Sequence, residues 1–251
     1  MIKAILCGAS GKMGGFVATA AESDGEIQIV AGVDKINDGE KFPVFPSFED
    51  INVPADIIID FSNVSLLDGL LGYALKHNIP AVIATTGYSD GQIAEIHAAA
   101  EKIPIFFTFN MSIGVNLIAA LAKKAASVLG NDFDIEIIEQ HHNRKIDAPS
   151  GTAIMLANAV NSVFGDTLNY EYDRHSVRRR RPKNEIGIHS VRGGTIVGKH
   201  DVIFAGHDEV ITISHEAQSK EVFAVGAVRA AKFLHGKKPG LYDMNSIMNF
   251  D

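Results

Sequence analysis

A single cysteine, Cys7, stands in the 251 residues, which excludes an internal disulfide framework and fits a reducing compartment. Positive charge is also scarce: 23 Lys and Arg against 30 Asp and Glu leave a formal charge of −7. That balance excludes a general nucleic-acid or acidic-membrane binder, so any anion site must be local. No apolar run approaches the roughly 18 residues needed to span a bilayer. The N-terminal run MIKAILCGASGKMGG breaks at Gly8, too early for a signal h-region, and lacks a cleavage pattern. It reads as a first strand, and a cytoplasmic location is expected. Neither an internal repeat nor a low-complexity linker interrupts the chain. What is plentiful is apolar residue content, 46%, enough for one large domain or two small ones.

Short β-branched runs alternate with helical stretches at first. Ile2 to Cys7, Ile27 to Val33, Ile57 to Ile59, Ala81 to Ala84 and Ile105 to Phe107 read as strands. Near-continuous apolar strands separated by helices predict a Rossmann-type, doubly wound parallel sheet. Ligands bind beyond the carboxyl ends of such strands, where GASGKMG, DK, DFSN, TTGY and TFNMS follow. After a helix predicted from Ile113 to Leu129 the pattern changes. DFDIEIIEQ reads as a strand, SGTAIMLANAVNSVF as a helix, and Ile186 to His215 as short strands joined by tight turns, which indicates antiparallel pairing. The expected division is a dinucleotide-binding domain over 1–111, completed by 221–251, and a smaller α+β domain over 112–220 with a mixed or antiparallel open sheet. The basic run Arg178 to Lys183 reads as a solvated loop.

Gly8, Gly11 and Gly14 lie between the first strand and the first helix. Glycine there permits positive φ and close approach of a pyrophosphate, and the helix start offers unpaired N–H groups. Asp34 ends the second strand, where a carboxylate accepts hydrogen bonds from an adenosine ribose. Lys35 beside it, with Lys12, suits a 2′-phosphate. NADH and NADPH both stay open.

The stretch EQHHNRKIDAPSGTA gathers two histidines, an arginine and a lysine ahead of a helix start. His141 and His142 are neighbours in an extended segment and face opposite ways, and no cysteine ligands or H-x-x-x-H pair accompany them, so a zinc centre is disfavoured. Lys145 brings a fixed charge, and a histidine donates a proton near neutral pH. Ser150 or Thr152 caps the helix, and the N–H groups of Gly151 and Thr152 then face outward as carboxylate donors. Basic cluster and helix start are two halves of a pocket for a small dianion. A nicotinamide in one domain and a carboxylate pocket with an acid in the other imply hydride transfer to a C=N or C=O bond.

With these residues in view, the chain resembles the 4-hydroxy-tetrahydrodipicolinate (dihydrodipicolinate) reductase family over nearly its whole length. EQHHNRKIDAPSGTA resembles the family's signature, and GASGKMG, IDFSN, ATTGY, FNMSIGVN and IGIHSVRGGTIVGKHDVIFAG agree in order and spacing. The resemblance implies reduction of a cyclic imine dicarboxylate by NADH or NADPH with loss of water, in a homotetramer that needs neither nucleic acid nor membrane. It implies His141 as proton donor with Lys145 as its partner, and His142, Ser150, Gly151 and Thr152 on the substrate carboxylates. The cofactor would lie along Gly8, Ala9, Ser10, Gly11, Lys12, Met13, Asp34, Ala84, Thr85, Thr86, Thr108, Phe109, Asn110 and Met111. Two departures stand out: family members often carry arginine at the place of Lys12 and glycine at that of Ala84. Lys220 is read as a solvated helix-start residue. Another dicarboxylate reductase and a nucleotide-sensing module without catalysis are the competing readings.

Overall fold

Ile57–Asp60 and Ala81–Ile83 are buried at every position, the pattern of central strands covered on both faces. The computed structural model describes residues 1–35 and 41–248. Its strands are Ile2–Cys7 (β1), Ile27–Val33 (β2), Val44–Phe45 (β3), Ile57–Asp60 (β4), Ala81–Ile83 (β5), Pro104–Phe107 (β6), Asp134–His141 (β7), Asn169–Glu171 (β8), Glu185–Arg192 (β9), Gly198–Ala205 (β10), Val210–Ala217 (β11) and Gly240–Tyr242 (β12). Its α-helices are Lys12–Asp24 (α1), Leu67–His77 (α2), Asp90–Ala100 (α3), Ile113–Leu129 (α4), Gly151–Asn161 (α5), Glu221–Leu234 (α6) and Met244–Met248 (α7). The chain divides into two compact units, Met1–Ile113 with Lys220–Asp251, and Gly114–Ser219. Of the C-terminal segment assigned from sequence to the first domain, 249–251 lie outside the described residues.

The first unit is built on a seven-stranded sheet of order β12-β6-β5-β4-β1-β2-β3, parallel throughout. One face packs Leu70, Leu71 and Ala74 of α2 and Ile96 and Ala99 of α3. The other packs Val17 and Ala21 of α1 with Ala224, Ala227, Ala230 and Ala231 of α6. Small residues let α6 lie close: a Cβ on Gly226 would stand 1.8 Å from the Met111 carbonyl oxygen. Gly226→Ala must shift backbone, and we expect it to cost about 1–3 kcal/mol, read as a lower urea midpoint for unfolding.

The second unit holds a five-stranded mixed sheet of order β11-β10-β7-β9-β8. Here the tight-turn expectation needs correction. β10 and β11 form an antiparallel hairpin, but β9 does not pair with β10; β7 lies between them, parallel to β9 and antiparallel to β10. α5 contributes Ala153, Leu156, Ala157 and Val160 to a core with Ile135, Ile137, Ile188, Val202 and Phe204.

Two further expectations change. Ile113–Asp132 is long and apolar enough, by length and composition alone, to cross a bilayer, so one stretch does reach that size. Ile118, Ala122 and Ala126 on it enter the core of the second unit, while Leu117, Leu121 and Val128 are exposed. The Arg178 to Lys183 run is only partly a solvated loop. Arg181 bridges Glu136 at 2.9 Å and Asp134 at 3.2 Å and donates to the carbonyls of Ile135 and Glu185; Lys183 reaches Asp134 at 3.1 Å. Arg174 joins Glu136 and Glu185 in the same network, and His189 lies 2.8 Å from Glu136. These acidic strand positions need counter-charge, and the basic run supplies it.

Candidate active site

Because the first sheet is parallel, β1, β2, β4, β5 and β6 all end at one edge, and the segments after them meet there. Gly8 turns the chain at φ +76, a conformation that favours glycine, and a Cβ on it would lie 2.4 Å from the Phe61 carbonyl oxygen. Gly14 is similarly constrained, since a Cβ there would stand 2.3 Å from the Gly8 carbonyl oxygen, so the start of α1 sits directly on the turn. Gly11 is the N-cap of α1, without a side-chain cap and with no acidic residue in the first turn. The positive end of the helix is thus left for an external anion. Asp34 faces the same turn. Its Oδ2 accepts from Ser10 N–H at 3.0 Å and its Oδ1 from Lys35 N–H at 2.7 Å, while the Lys35 side chain is exposed.

A cleft of about 210 Å³ opens between Phe61–Val64 and Ala84–Thr86. Its floor is pinned by buried Asp60, which accepts from Ser62 N–H at 3.1 Å, from the Ser62 hydroxyl and from Tyr88. Burial pushes the Asp60 carboxyl above its ordinary value, against the pull of those hydrogen bonds. After β6, Asn110 N–H donates to the Thr108 hydroxyl, and Phe109 is exposed. Met111 is different: its side chain is buried in the α1–α6 core, so of this segment Thr108, Phe109 and Asn110 are the residues at the surface.

The second unit carries a separate polar cluster at the end of β7. Alternation along β7 points Glu139 and His141 to the face that α5 covers. Register places Ser190 and Arg192 of β9 beside them on one side and His200 and Gly198 of β10 on the other, with His215 of β11 next to His200. Nδ1 of His141 lies 2.6 Å from Glu139 Oε2. Arg192 grips the same carboxylate with both nitrogens, at 2.8 Å to Oε2 and 2.7 Å to Oε1, and Ser150 N–H adds a bond of 3.1 Å to Oε1. Burial works to raise the Glu139 carboxyl, but Arg192, His141 and Ser190 outweigh it and hold it down to about 2. His141 lies below its ordinary value: burial pushes it down, Glu139 pulls it up, and Lys145 and Arg192 add to the downward push. His200 is pushed down to about 4, by burial first and by His141 second.

The helix start follows from this cluster. Ser150 is the N-cap of α5; its hydroxyl accepts from Ala153 N–H at 3.2 Å and lies 3.1 Å from His200 Nε2. Ser150 thus performs the capping left open between it and Thr152, and both its amide and hydroxyl are already engaged. Gly151 is exposed, with nothing within 4 Å of where a Cβ would be. Lys145 is bridged to Asp147 at 2.8 Å, so the basic stretch carries less free charge than its composition suggests. The Nδ1 atom of His142 is buried and has no hydrogen-bond partner. No group of three or more His, Cys, Asp or Glu side chains is placed to hold a metal ion among the described residues.

Sequence reasoning brought His141, Ser150 and the helix start together but missed Glu139, Arg192 and His200. Glu139 was findable, since it lies two residues before His141 and shares its strand face. Arg192 and His200 needed the register of β7 with β9 and β10.

Comparisons with known proteins agree along the whole chain. The family described as dihydrodipicolinate reductase matches in two parts, its N-terminus over residues 2–111 and its C-terminus over 114–248. A 4-hydroxy-tetrahydrodipicolinate reductase from Caldanaerobacter subterraneus subsp. tengcongensis is 52% identical over 99% of this chain and 98% of its own. One from Clostridium novyi is 45% identical over 99% and 98%. Among solved structures, the dipicolinate-bound dihydrodipicolinate reductase from Paenisporosarcina sp. TG-14 superposes with a TM-score of 0.80 at 26% identity, covering 99% of both chains. By these matches over both parts, the chain belongs to the dihydrodipicolinate reductase family.

Proposed function

We propose that the chain reduces 4-hydroxy-tetrahydrodipicolinate to tetrahydrodipicolinate, with loss of water, as the NAD(P)H-dependent step of diaminopimelate and lysine biosynthesis. The observation that carries this reading is His141, a buried imidazole held by Glu139, whose carboxylate also takes the N–H of the α5 N-cap Ser150. The first unit is assigned the dinucleotide and the second the dicarboxylate substrate. A dinucleotide fits the first: the Gly8 turn admits no side chain, the start of α1 is uncapped, and Asp34 and Lys35 follow β2. Gly8 to Met13 would hold the pyrophosphate, and Ala84 to Thr86 with Thr108 to Asn110 would line the nicotinamide end. When bound, the reduced nicotinamide supplies a hydride.

The chain's own residues do the rest. Gly151 and Thr152 present N–H groups to a substrate carboxylate, with Lys145 and His142 completing the grip. Ser150 acts by shaping that turn, since its own polar groups are committed to Glu139, Ala153 and His200. Loss of the 4-hydroxyl with a neighbouring ring hydrogen, as water, would leave a C=C bond conjugated to the C=N bond. Hydride added at C4 would then push negative charge onto the ring nitrogen, where His141 gives its proton, and the resulting N–H enamine isomerises to the C=N bond of the product. A homotetramer and a cytoplasmic location belong to the same reading, and sedimentation equilibrium tests the first.

Both nucleotides are expected to serve, Asp34 taking the ribose hydroxyls and Lys35 a 2′-phosphate. Lys35→Ala should lower kcat/KM for NADPH by about tenfold, the worth of one charge-assisted hydrogen bond, and leave NADH nearly unchanged. The defining experiment follows oxidation of NADH and NADPH while a synthase generates the unstable substrate from pyruvate and aspartate semialdehyde. Turnover that depends on the synthase supports the reading. Binding of both nucleotides without turnover would move it to another dicarboxylate or to a nucleotide sensor.

A further inference from the structure

Glu139 and Arg192 have no part in the proton transfer just described, yet they surround the group assigned to it. We infer that Glu139 is a positioning residue: it accepts the Nδ1–H of His141, which makes Nε2 the working atom, and Arg192 keeps Glu139 in the form that does this. The inference rests on His141 being the proton donor.

The geometry leaves one arrangement. Glu139 Oε1 takes Ser150 N–H and one Arg192 nitrogen, and Oε2 takes the other Arg192 nitrogen and faces His141 Nδ1 at 2.6 Å. A carboxylate has only acceptors, so Nδ1 must carry hydrogen whether His141 is charged or neutral. The exchangeable proton therefore sits on Nε2. On that side stands Gly198 of β10, where a Cβ would come within 3.1 Å of Nε2; glycine leaves the atom its space. When the Nε2–H bond breaks and the proton passes to the substrate nitrogen, a neutral imidazole with Nδ1–H intact remains. Glu139 cannot intercept the proton, because Arg192 holds its carboxyl down to about 2.

Charge decides whether a proton is there to give. The titratable or charged groups around His141 are Glu139 on β7, Arg192 on β9, His200 on β10 with His215 beyond it on β11, and Lys145 on the loop after β7. Arg192, Lys145 and burial all favour neutral imidazole, and His200, itself held neutral, offers no compensating charge. Only Glu139 favours the proton.

Glu139→Gln separates the two roles, since its amide oxygen still accepts from Nδ1 but the charge is gone. The pH above which kcat declines should move down by about 1–3 pH units, the effect of removing an adjacent opposite charge. At pH 7.5 kcat should fall about tenfold or more, and it should recover toward the wild-type plateau in acid. Glu139→Ala should not recover. A decline that coincides with wild type in a folded Glu139→Gln enzyme overturns the inference. If the same decline persists in His141→Gln, the proton-donor assignment fails instead. Imidazole ¹⁵N resonances of His141 in the unaltered enzyme give a test independent of any variant's folding: hydrogen on Nδ1 in the neutral form supports the inference, and hydrogen on Nε2 alone overturns it.

Discussion

His141→Gln should lower kcat by about 10²–10⁴-fold, the usual worth of a positioned acid, with nucleotide affinity kept within about twofold. The size follows from what is removed. Glutamine retains a polar end of similar reach, so packing against Gly198 and the Glu139 hydrogen bond are largely preserved, but no proton is released near neutral pH. The second half of the expectation follows from location. His141 belongs to the second unit, whereas the Gly8 turn, Asp34 and the Ala84–Thr86 segment belong to the first. Fluorescence titration with NADH and NADPH reads affinity, and the coupled synthase assay reads turnover. A drop in nucleotide affinity matching the drop in kcat would sink the assignment, and so would full activity. Substrate KM should rise little, because the carboxylate grip is assigned to Lys145, His142 and the α5 start.

What the sequence made legible, and what it did not, divides along one physical line. β1, β2, β4, β5 and β6 announce themselves as buried apolar runs, and the glycine turn after β1 follows from local backbone sterics at Gly8 and Gly14. The α5 start is equally local, a serine cap three residues before the amide it accepts. β3 and β12 were not legible, because strands of two and three residues carry no periodicity. Interactions between distant residues were hidden for another reason. Arg192 meets Glu139 across 53 positions, and only the parallel pairing of β7 with β9 brings them together. The tight turns that suggested antiparallel order say nothing about a strand inserted between β9 and β10. Arg181 looked like part of a solvated charge block for the same reason: its partners Asp134 and Glu136 lie more than forty residues away on β7.

Arg192→Met should destabilise the second unit by about 3–5 kcal/mol at neutral pH, the range seen when one partner of a buried ion pair is removed. Glu139 is fully buried, and methionine fills much of the arginine volume while leaving the carboxylate without both of its guanidinium donors. The pH dependence supplies the sharper test. In the unaltered protein the Glu139 carboxyl titrates at about 2, against an ordinary value of 4.5. A depressed carboxyl contributes stability that is fully present above its unfolded value and is lost as pH falls through the folded one. The gap is worth about 3 kcal/mol, all of it available at pH 5 and above. Wild-type stability should therefore lose nothing through Glu139 between pH 7.5 and 5. In Arg192→Met, burial is no longer outweighed and the carboxyl rises, so protonation begins earlier and relieves the cost. Loss of the guanidinium also raises His141, whose charge then partly replaces it. Both changes act in the same direction, so the deficit relative to wild type should narrow on going from pH 7.5 to pH 5. Urea unfolding at the two pH values, followed by amide exchange in β7, reads it directly. A deficit below about 1 kcal/mol, or one that does not change with pH, would mean that Arg192 is an exposed pair of the ordinary surface kind.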